Sequence, residues 1–404
     1  MNSNYHNHIN VALFSSSISY GGGEKVSREI TNISNSDIST SLVIIDNDLH
    51  DISLVSSPVV SLSAHTYNKT HVLPPGVKQI VRFIIICLSY RNYLKKNDIS
   101  VSIDRGMELS IINYMSCIGI DTIAVSTKHS IYHLNPLTQK RWGRLLSALY
   151  VYLYLFSLKH VGRVIAVSNG VSSVLVESGI PNEKIDLIYN PLDIENIQKQ
   201  SHEAVHEDIF YINAPILITV GRLEYIKAQW HLIRVFREVR KVTPCKLVIC
   251  GDGSLRDYLD SLVERWNLKG DVLFTGEVKN PYKYLVHSTL FVLTSLSEAL
   301  PYAILESMAC SCPVVATDCD GVRELCGDNQ YGIVSSPITD DKYDNQYSLD
   351  NSECDLRNNI LLLLNDSALR ERYVSAGLKR ASEFDKEIAY TKYRELIRSI
   401  CKTH

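Results

Sequence analysis

Apolar positions along this chain come in short runs. Each run is closed by glycine or polar residues and followed by a stretch of helical character. The first runs are 11–17 (VALFSSS), 41–46 (SLVIID), 99–104 (ISVSID), 121–127 (DTIAVST) and 161–169 (VGRVIAVSN), with 184–193 (KIDLIYNPLD) leading into a linker. The alternation restarts at 214–223 (APILITVGRL) and continues through 245–253, 271–278, 290–296 and 312–318. Helices are expected between these runs, over 229–240, 254–265, 281–287 and 301–309. Apolar strands separated by helices are buried on both faces, which predicts parallel sheets. Two such blocks predict two doubly wound α/β domains, 1–190 and 191–385, with a last helix in 386–404. The polar, acidic stretch 335–355 reads as an exposed loop.

One apolar run stands apart. Residues 145–158 (LLSALYVYLYLFSL) are only 14 positions long, short of the ~18 that cross a bilayer. A buried helix is the first expectation. Lys140, Arg141 and Arg144 precede it, and Arg91, Lys95 and Lys96 end another apolar segment. The alternative is therefore a basic rim around an apolar face, the composition of a membrane-surface patch.

Composition narrows the field. The chain has 404 residues, 45% of them hydrophobic, enough for two or three domains. Lys and Arg number 41 against 44 Asp and Glu, a net −3. That balance argues against a bulk nucleic-acid binder and against an acidic disordered chain. Residues 1–190 carry 16 Lys/Arg and 13 Asp/Glu, the remainder 25 and 31. The basic first half fits an anionic surface or ligand, and equally fits ordinary scatter between domains. None of the ten cysteines forms a C-x-x-C pair, so neither a zinc ribbon nor a thioredoxin-like site is supported. The first ten residues lack the pattern of a signal peptide. Free thiols in a reducing, cytoplasmic compartment are expected.

The candidate chemistry sits at strand ends. Tyr20-Gly21-Gly22-Gly23-Glu24 follows the first strand and opens a helix, where glycines admit a phosphate to the positive helix end or simply make a tight turn. It is not the dinucleotide pattern G-x-G-x-x-G. Gly221-Arg222-Leu223-Glu224-Tyr225-Ile226-Lys227 follows the first strand of the second block. The carboxyl end of a strand is where open α/β sheets bind ligands. Arg222 and Lys227 suit a diphosphate there, and a surface salt bridge to Glu224 is the alternative. Pro301 suits the first turn of a helix, which puts Glu298 just before that helix and Glu306 one and a half turns inside it. Two carboxylates around an anion-binding helix start suit a ligand with phosphates and vicinal hydroxyls. A dipole-stabilising Glu plus an exposed helical Glu is the alternative.

Taken together, these residues resemble a retaining glycosyltransferase of family 4, with the GT-B fold. The resemblance runs from Val11 to the final helix and is strongest over 221–325, with Glu298-x7-Glu306 and the Arg222/Lys227 pair as its specific marks. It implies two Rossmann-like domains with an interdomain cleft. The first would be acceptor-side, the second would bind the nucleotide sugar, and helix 386–404 would pack back on the first. It implies that Arg222 and Lys227 hold the donor diphosphate with Gly221, and that Glu306 binds the ribose. Glu298, Ala299, Leu300 and Pro301 would meet the transferred sugar. Gly22 and Gly23 would face the phosphate and acceptor, and Gly276 and Val278 would line the base. His129, in Thr127-Lys128-His129-Ser130, matches the family's active-site histidine.

No metal or other cofactor is implied. Asp318-Cys319-Asp320 only superficially resembles a D-x-D metal motif, Asp46-Asn47-Asp48 reads as a solvated turn, and His6-Asn7-His8 reads as a disordered end. The expected partners are a nucleoside-diphosphate sugar, UDP-linked by preference, and a saccharide or polyprenyl-diphosphate-linked acceptor. Contact with the inner leaflet is a further expectation. Nucleic acid is not a partner. Ala299, Ala228 and Ser311 stand where the family commonly has glycine. Each swap is small for small, and bears on local loop geometry and donor preference. A GT-B epimerase or phosphorylase and an inactive nucleotide-sugar-binding relative are the rival readings.

Overall fold

The computed structural model describes residues 8–16, 22–45, 55–62, 75–129, 144–338 and 348–402. The chain divides into two compact units, Met1–Pro191 with Lys386–His404, and Leu192–Asp385.

The first unit is built on seven strands: β1 (Ile9–Ser15), β2 (Ile38–Ile44), β3 (Val59–Ser61), β4 (Val101–Arg105), β5 (Ile123–Lys128), β6 (Arg163–Ala166) and β7 (Ile185–Leu187). Between them run α1 (Gly22–Thr31), α2 (Pro75–Lys96), α3 (Met107–Cys117), α4 (Arg144–His160) and α5 (Asn169–Glu177). Each strand runs parallel to its neighbours and the order is 3-2-1-4-5-6-7. The central strand β1 is buried from Val11 to Ser15, as a strand covered on both faces must be. β3 escapes a reading of the sequence because it is only three residues long.

The second unit begins with α6 (Ile194–Ser201) and carries six parallel strands. These are β8 (Ile216–Val220), β9 (Lys246–Cys250), β10 (Val272–Gly276), β11 (Leu290–Leu293), β12 (Val314–Thr317) and β13 (Ile333–Ser335). The intervening helices are α7 (Gln229–Val242), α8 (Arg256–Arg265), α9 (Tyr282–Leu285), α10 (Tyr302–Ala309) and α11 (Asp320–Cys326). Helices α12 (Asn351–Asn365) and α13 (Ser367–Ser382) follow, and α14 (Lys386–Lys402) returns to the first unit. The strand order is 10-9-8-11-12-13. The core between sheet and helices gathers Leu217, Trp230, Phe236, Leu247, Leu290 and Leu363.

Two expectations change. The stretch 335–355 is not one exposed loop: Ser335 ends β13 with 1% exposure, and α12 starts at Asn351. Asp350 accepts from the Glu353 amide while Glu353 reaches back to the Asp350 amide, a reciprocal cap that starts the helix inside an acidic stretch. The run 145–158 is not a wholly buried helix either. Val151, Tyr154 and Leu158 face the core, but Leu149, Tyr152, Leu153 and Phe156 are exposed.

All ten cysteines are free. Among the described residues, no helix is long and apolar enough to cross a membrane. Asp46-Asn47-Asp48 lies outside the described residues, as do His6 and Asn7.

Candidate active site

In the second unit the chain leaves β8 toward β9 and β10 on one side, then crosses back to place β11 on the other. The crevice of such a sheet opens between the carboxyl ends of the two strands where the order reverses. The loops after β8 and β11 flank it, and they carry the two motifs. Thr294 donates to the carbonyls of Lys227 (3.2 Å) and Ala228 (3.1 Å), and the Leu296 amide donates to Ile226 (2.8 Å). These hydrogen bonds stitch the two loops together.

Across this seam Lys227 forms an ion pair with Glu298, which also accepts from Ser295 Oγ at 2.8 Å. The expected alternative, a salt bridge to Glu224, does not form. Glu224 instead accepts from Ser254 through the hydroxyl at 2.9 Å and the amide at 3.3 Å. Arg222 is exposed, and its guanidinium pairs with nothing among the described residues. Lys227 is therefore committed to a carboxylate, while Arg222 is the uncommitted cation of the pair.

Glu306 lies within α10 with 9% exposure and accepts from Tyr282 Oη at 2.9 Å. Burial, then the Glu306 charge, pushes the Tyr282 phenol far above its ordinary value, so it stays a donor. Pro301 is the N-cap of α10 rather than a residue of its first turn, and having no N–H it offers no amide to a ligand. The amides of Ala299 and Leu300 donate to nothing among the described residues. Gly276 ends β10 with φ +70°, and its carbonyl accepts from Gly251 at 2.9 Å; Val278 is half-buried two residues on.

Gly321 is a residue that sequence reasoning missed. A Cβ there would meet the Ala299 carbonyl oxygen at 2.4 Å, and its amide donates to the Glu298 carbonyl at 2.9 Å. Only glycine lets α11 approach the Glu298 loop this closely. Tyr282 was missed as well; its position just after Pro281 at a helix start was the available signal. Asp318 and Asp320 are engaged elsewhere, with Arg323 at 2.6 Å and Ser297 at 2.9 Å. Among the described residues no group of three His, Cys, Asp or Glu side chains is placed to hold a metal ion.

Two of the three departures from the family's glycines fall where backbone geometry favours glycine. Ala228 has φ +48° and Ser311 has φ +60°. Ser311 follows α10 in a Schellman turn, with its amide on Met308 (3.1 Å) and the Cys312 amide on Ser307 (2.9 Å). Each left-handed residue costs roughly 1 kcal/mol.

In the first unit the order reverses between β1 and β4. Gly22 and Gly23 open α1 after β1, and Arg105 ends β4. Arg105 donates to Ser27 of α1 at 2.7 Å and to His129 Nε2 at 2.8 Å. Burial first, then the charges of Arg105 and Lys128, hold the His129 imidazole well below its ordinary value, so it is neutral. Sequence reasoning missed Arg105, whose signal was its place at the end of a strand before Gly106.

Two doubly wound parallel units with ligand-ready strand ends define a GT-B protein. Residues 49–196 match the model of Glycosyltransferase Family 4, and residues 206–380 that of Glycosyl transferases group 1. An uncharacterized glycosyltransferase of Methanocaldococcus jannaschii is 31% identical over 325 residues, 75% of this chain and 79% of the relative. An N-acetylgalactosaminyltransferase of Campylobacter jejuni acting on a diphospho-undecaprenol-linked saccharide is 35% identical over 222 residues, 54% and 55% of the two chains. Among solved structures, HepE of Anabaena in complex with UDP superposes with a TM-score of 0.74 at 17% identity, over 97% of this chain and 100% of that one. The chain belongs to glycosyltransferase family 4.

Proposed function

We propose that this glycosyltransferase moves one sugar, a hexose-type unit, from a UDP-sugar to a saccharide or polyprenyl-diphosphate-linked acceptor. Configuration is retained, and the product belongs to a cell-surface polysaccharide such as O-antigen, capsule or exopolysaccharide. The reaction takes place in the cytoplasm, at the inner leaflet. The observation that carries this reading is the meeting of Lys227 and Glu298 across the switch point, with Arg222 in the same loop and its guanidinium unpartnered among the described residues. The acceptor class rests on the Campylobacter relative, whose acceptor is diphospho-undecaprenol-linked. Uridine rests on HepE, solved with UDP and with UDP-glucose.

The chemistry follows from charge. The bond between the anomeric carbon and the β-phosphate oxygen breaks, and its electron pair stays on the phosphate. Arg222 and Lys227 stabilise that charge in place of a metal ion. The acceptor hydroxyl bonds the anomeric carbon from the same face, and its proton passes to the leaving phosphate. A diphosphate draws Lys227 away from Glu298, which frees the carboxylate for sugar hydroxyls. Glu306, kept dry and acceptor-only, takes the ribose hydroxyls, and neutral His129 meets the transferred sugar as a hydrogen-bonding group without charge.

The test is nucleotide release with UDP-, GDP- and ADP-sugars and lipid-linked acceptors. Release is expected with one donor only when acceptor is present. A folded protein that releases nucleotide with no donor overturns the reading. Glu306→Ala should weaken nucleotide binding on the order of 10- to 100-fold, the worth of charged hydrogen bonds. Unchanged affinity in calorimetry removes that carboxylate from the site.

A further inference from the structure

Helices α2, α3 and α4 form one layer over the first sheet, with α3 packed between the other two. The outward side of this layer is apolar. On α2 the core takes Ile86, Tyr90 and Leu94, spaced by four. A second stripe with the same spacing, Ile80, Ile84 and Leu88, points away from it, and Ile80 and Leu88 are 63% and 61% exposed. A two-residue offset on a helix is a rotation of about 200°, so the stripes lie on opposite faces. α4 repeats the arrangement: Val151, Tyr154 and Leu158 face the core, while Tyr152, Leu153 and Phe156 face out, with Tyr152 63% exposed. Met115 and Ile118, at the end of α3, are exposed between them. Single exposed apolar residues are ordinary, but adjacent stripes on neighbouring helices are a surface with a purpose.

Charge says which partner fits. α2 contains Lys78, Arg82, Arg91, Lys95 and Lys96, and α4 contains Arg144 and Lys159, with no Asp or Glu in either helix. Arg82, Lys95, Lys96 and Lys159 are exposed. Acids near these helices in the chain are Asp98 just past α2, Glu108 in the first turn of α3 and the exposed Asp121 three residues after Ile118. Outward apolar and aromatic side chains on two helices that carry cations and no acids are the composition of a helix face lying in the headgroup region of an anionic bilayer.

We propose that the outer face of α2, α3 and α4 docks this enzyme on an anionic lipid surface. The docking deepens the reading of a membrane-bound acceptor, yet it concerns a surface distinct from the donor site and needs neither donor nor acceptor. The full chain is sedimented with vesicles of phosphatidylcholine alone, and with vesicles containing about one third phosphatidylglycerol. Binding is expected to the anionic vesicles, weakened several-fold by high salt. Ile84→Glu with Leu153→Glu should lower it at least 10-fold while nucleotide affinity stays unchanged. Lys95→Glu with Lys96→Glu, which leaves the apolar stripe intact, should remove the preference for anionic lipid. Wild-type protein that stays in the supernatant with both vesicle types overturns the proposal. So does equal binding by the variants, or a concentration-dependent dimer in light scattering that Ile84→Glu with Leu153→Glu dissolves. Loss of sugar transfer with vesicle binding intact counts against the transferase reading alone.

Discussion

His129 and Arg105 show how one contact sets a protonation state. Both ring and guanidinium sit at strand ends of the first unit, and Arg105 donates to Nε2. An imidazolium there would face two cations, Arg105 and Lys128, so the neutral form wins. Arg105→Met removes one of these charges. The His129 pKa should then rise toward, and stay below, about 6.5, because desolvation remains the larger cause. The imidazole becomes protonated only as pH falls through that raised value, and proton NMR of the ring follows it directly. Arg105→Lys, which keeps the charge, should hold the pKa low. An unchanged titration in Arg105→Met removes Arg105 from the control of this ring. At this scale Pro301 made the places of Glu298 and Glu306 around a helix start legible, while their roles came only from the resemblance of the motif. Arg105, Tyr282 and Gly321 were not legible, because their partners lie 24, 24 and 23 residues away on other elements.

Between elements, the second unit relies on a buried charged tie. His231 and Arg234 of α7 flank Glu353 of α12, with Nδ1 at 2.7 Å and Nη2 at 3.0 Å, and His231 and Glu353 are fully buried. Arg234 also donates to the Ser348 carbonyl at 3.1 Å. Glu353 meanwhile completes the cap of its own helix. Glu353→Gln leaves the Arg234 guanidinium buried without its counter-charge, and should cost about 3–5 kcal/mol. Urea denaturation measures this, and a loss below about 1 kcal/mol contradicts the role. The acidic composition around 335–355 suggested a loop, and composition alone cannot register that one glutamate is paired with Arg234, over a hundred positions earlier.

At the scale of the whole molecule, α14 belongs to the first unit although the second precedes it in the chain. Arg398 pairs with Asp37 at 2.8 Å, Tyr390 donates to Glu29 at 2.9 Å, and Arg394 donates to the Ile33 carbonyl at 2.9 Å. Tyr390, Tyr393, Leu396, Ile397 and Ile400 are buried. At about 2 kcal/mol for each large apolar side chain, their burial is worth roughly 10 kcal/mol, comparable to a domain's whole stability. A chain ending at Asp385 should therefore lose the first unit's unfolding transition in calorimetry and keep that of Leu192–Asp385. Two intact transitions, or the loss of both, contradict this division.

The alternation of apolar runs and helical stretches determined two parallel α/β blocks, because strand and helix periodicity is written within ten or so residues. The family motifs were equally local, since each lies in one loop or one helix start. What only tertiary structure decided is which loops meet and which faces remain open. Lys227 finds Glu298 because β11 lies beside β8, an order set by how the strands pack and not by their spacing along the chain. The outer stripes of α2 and α4 are as apolar as their inner ones, so hydropathy cannot tell the two faces apart. The sheet beneath them covers one face and leaves the other exposed.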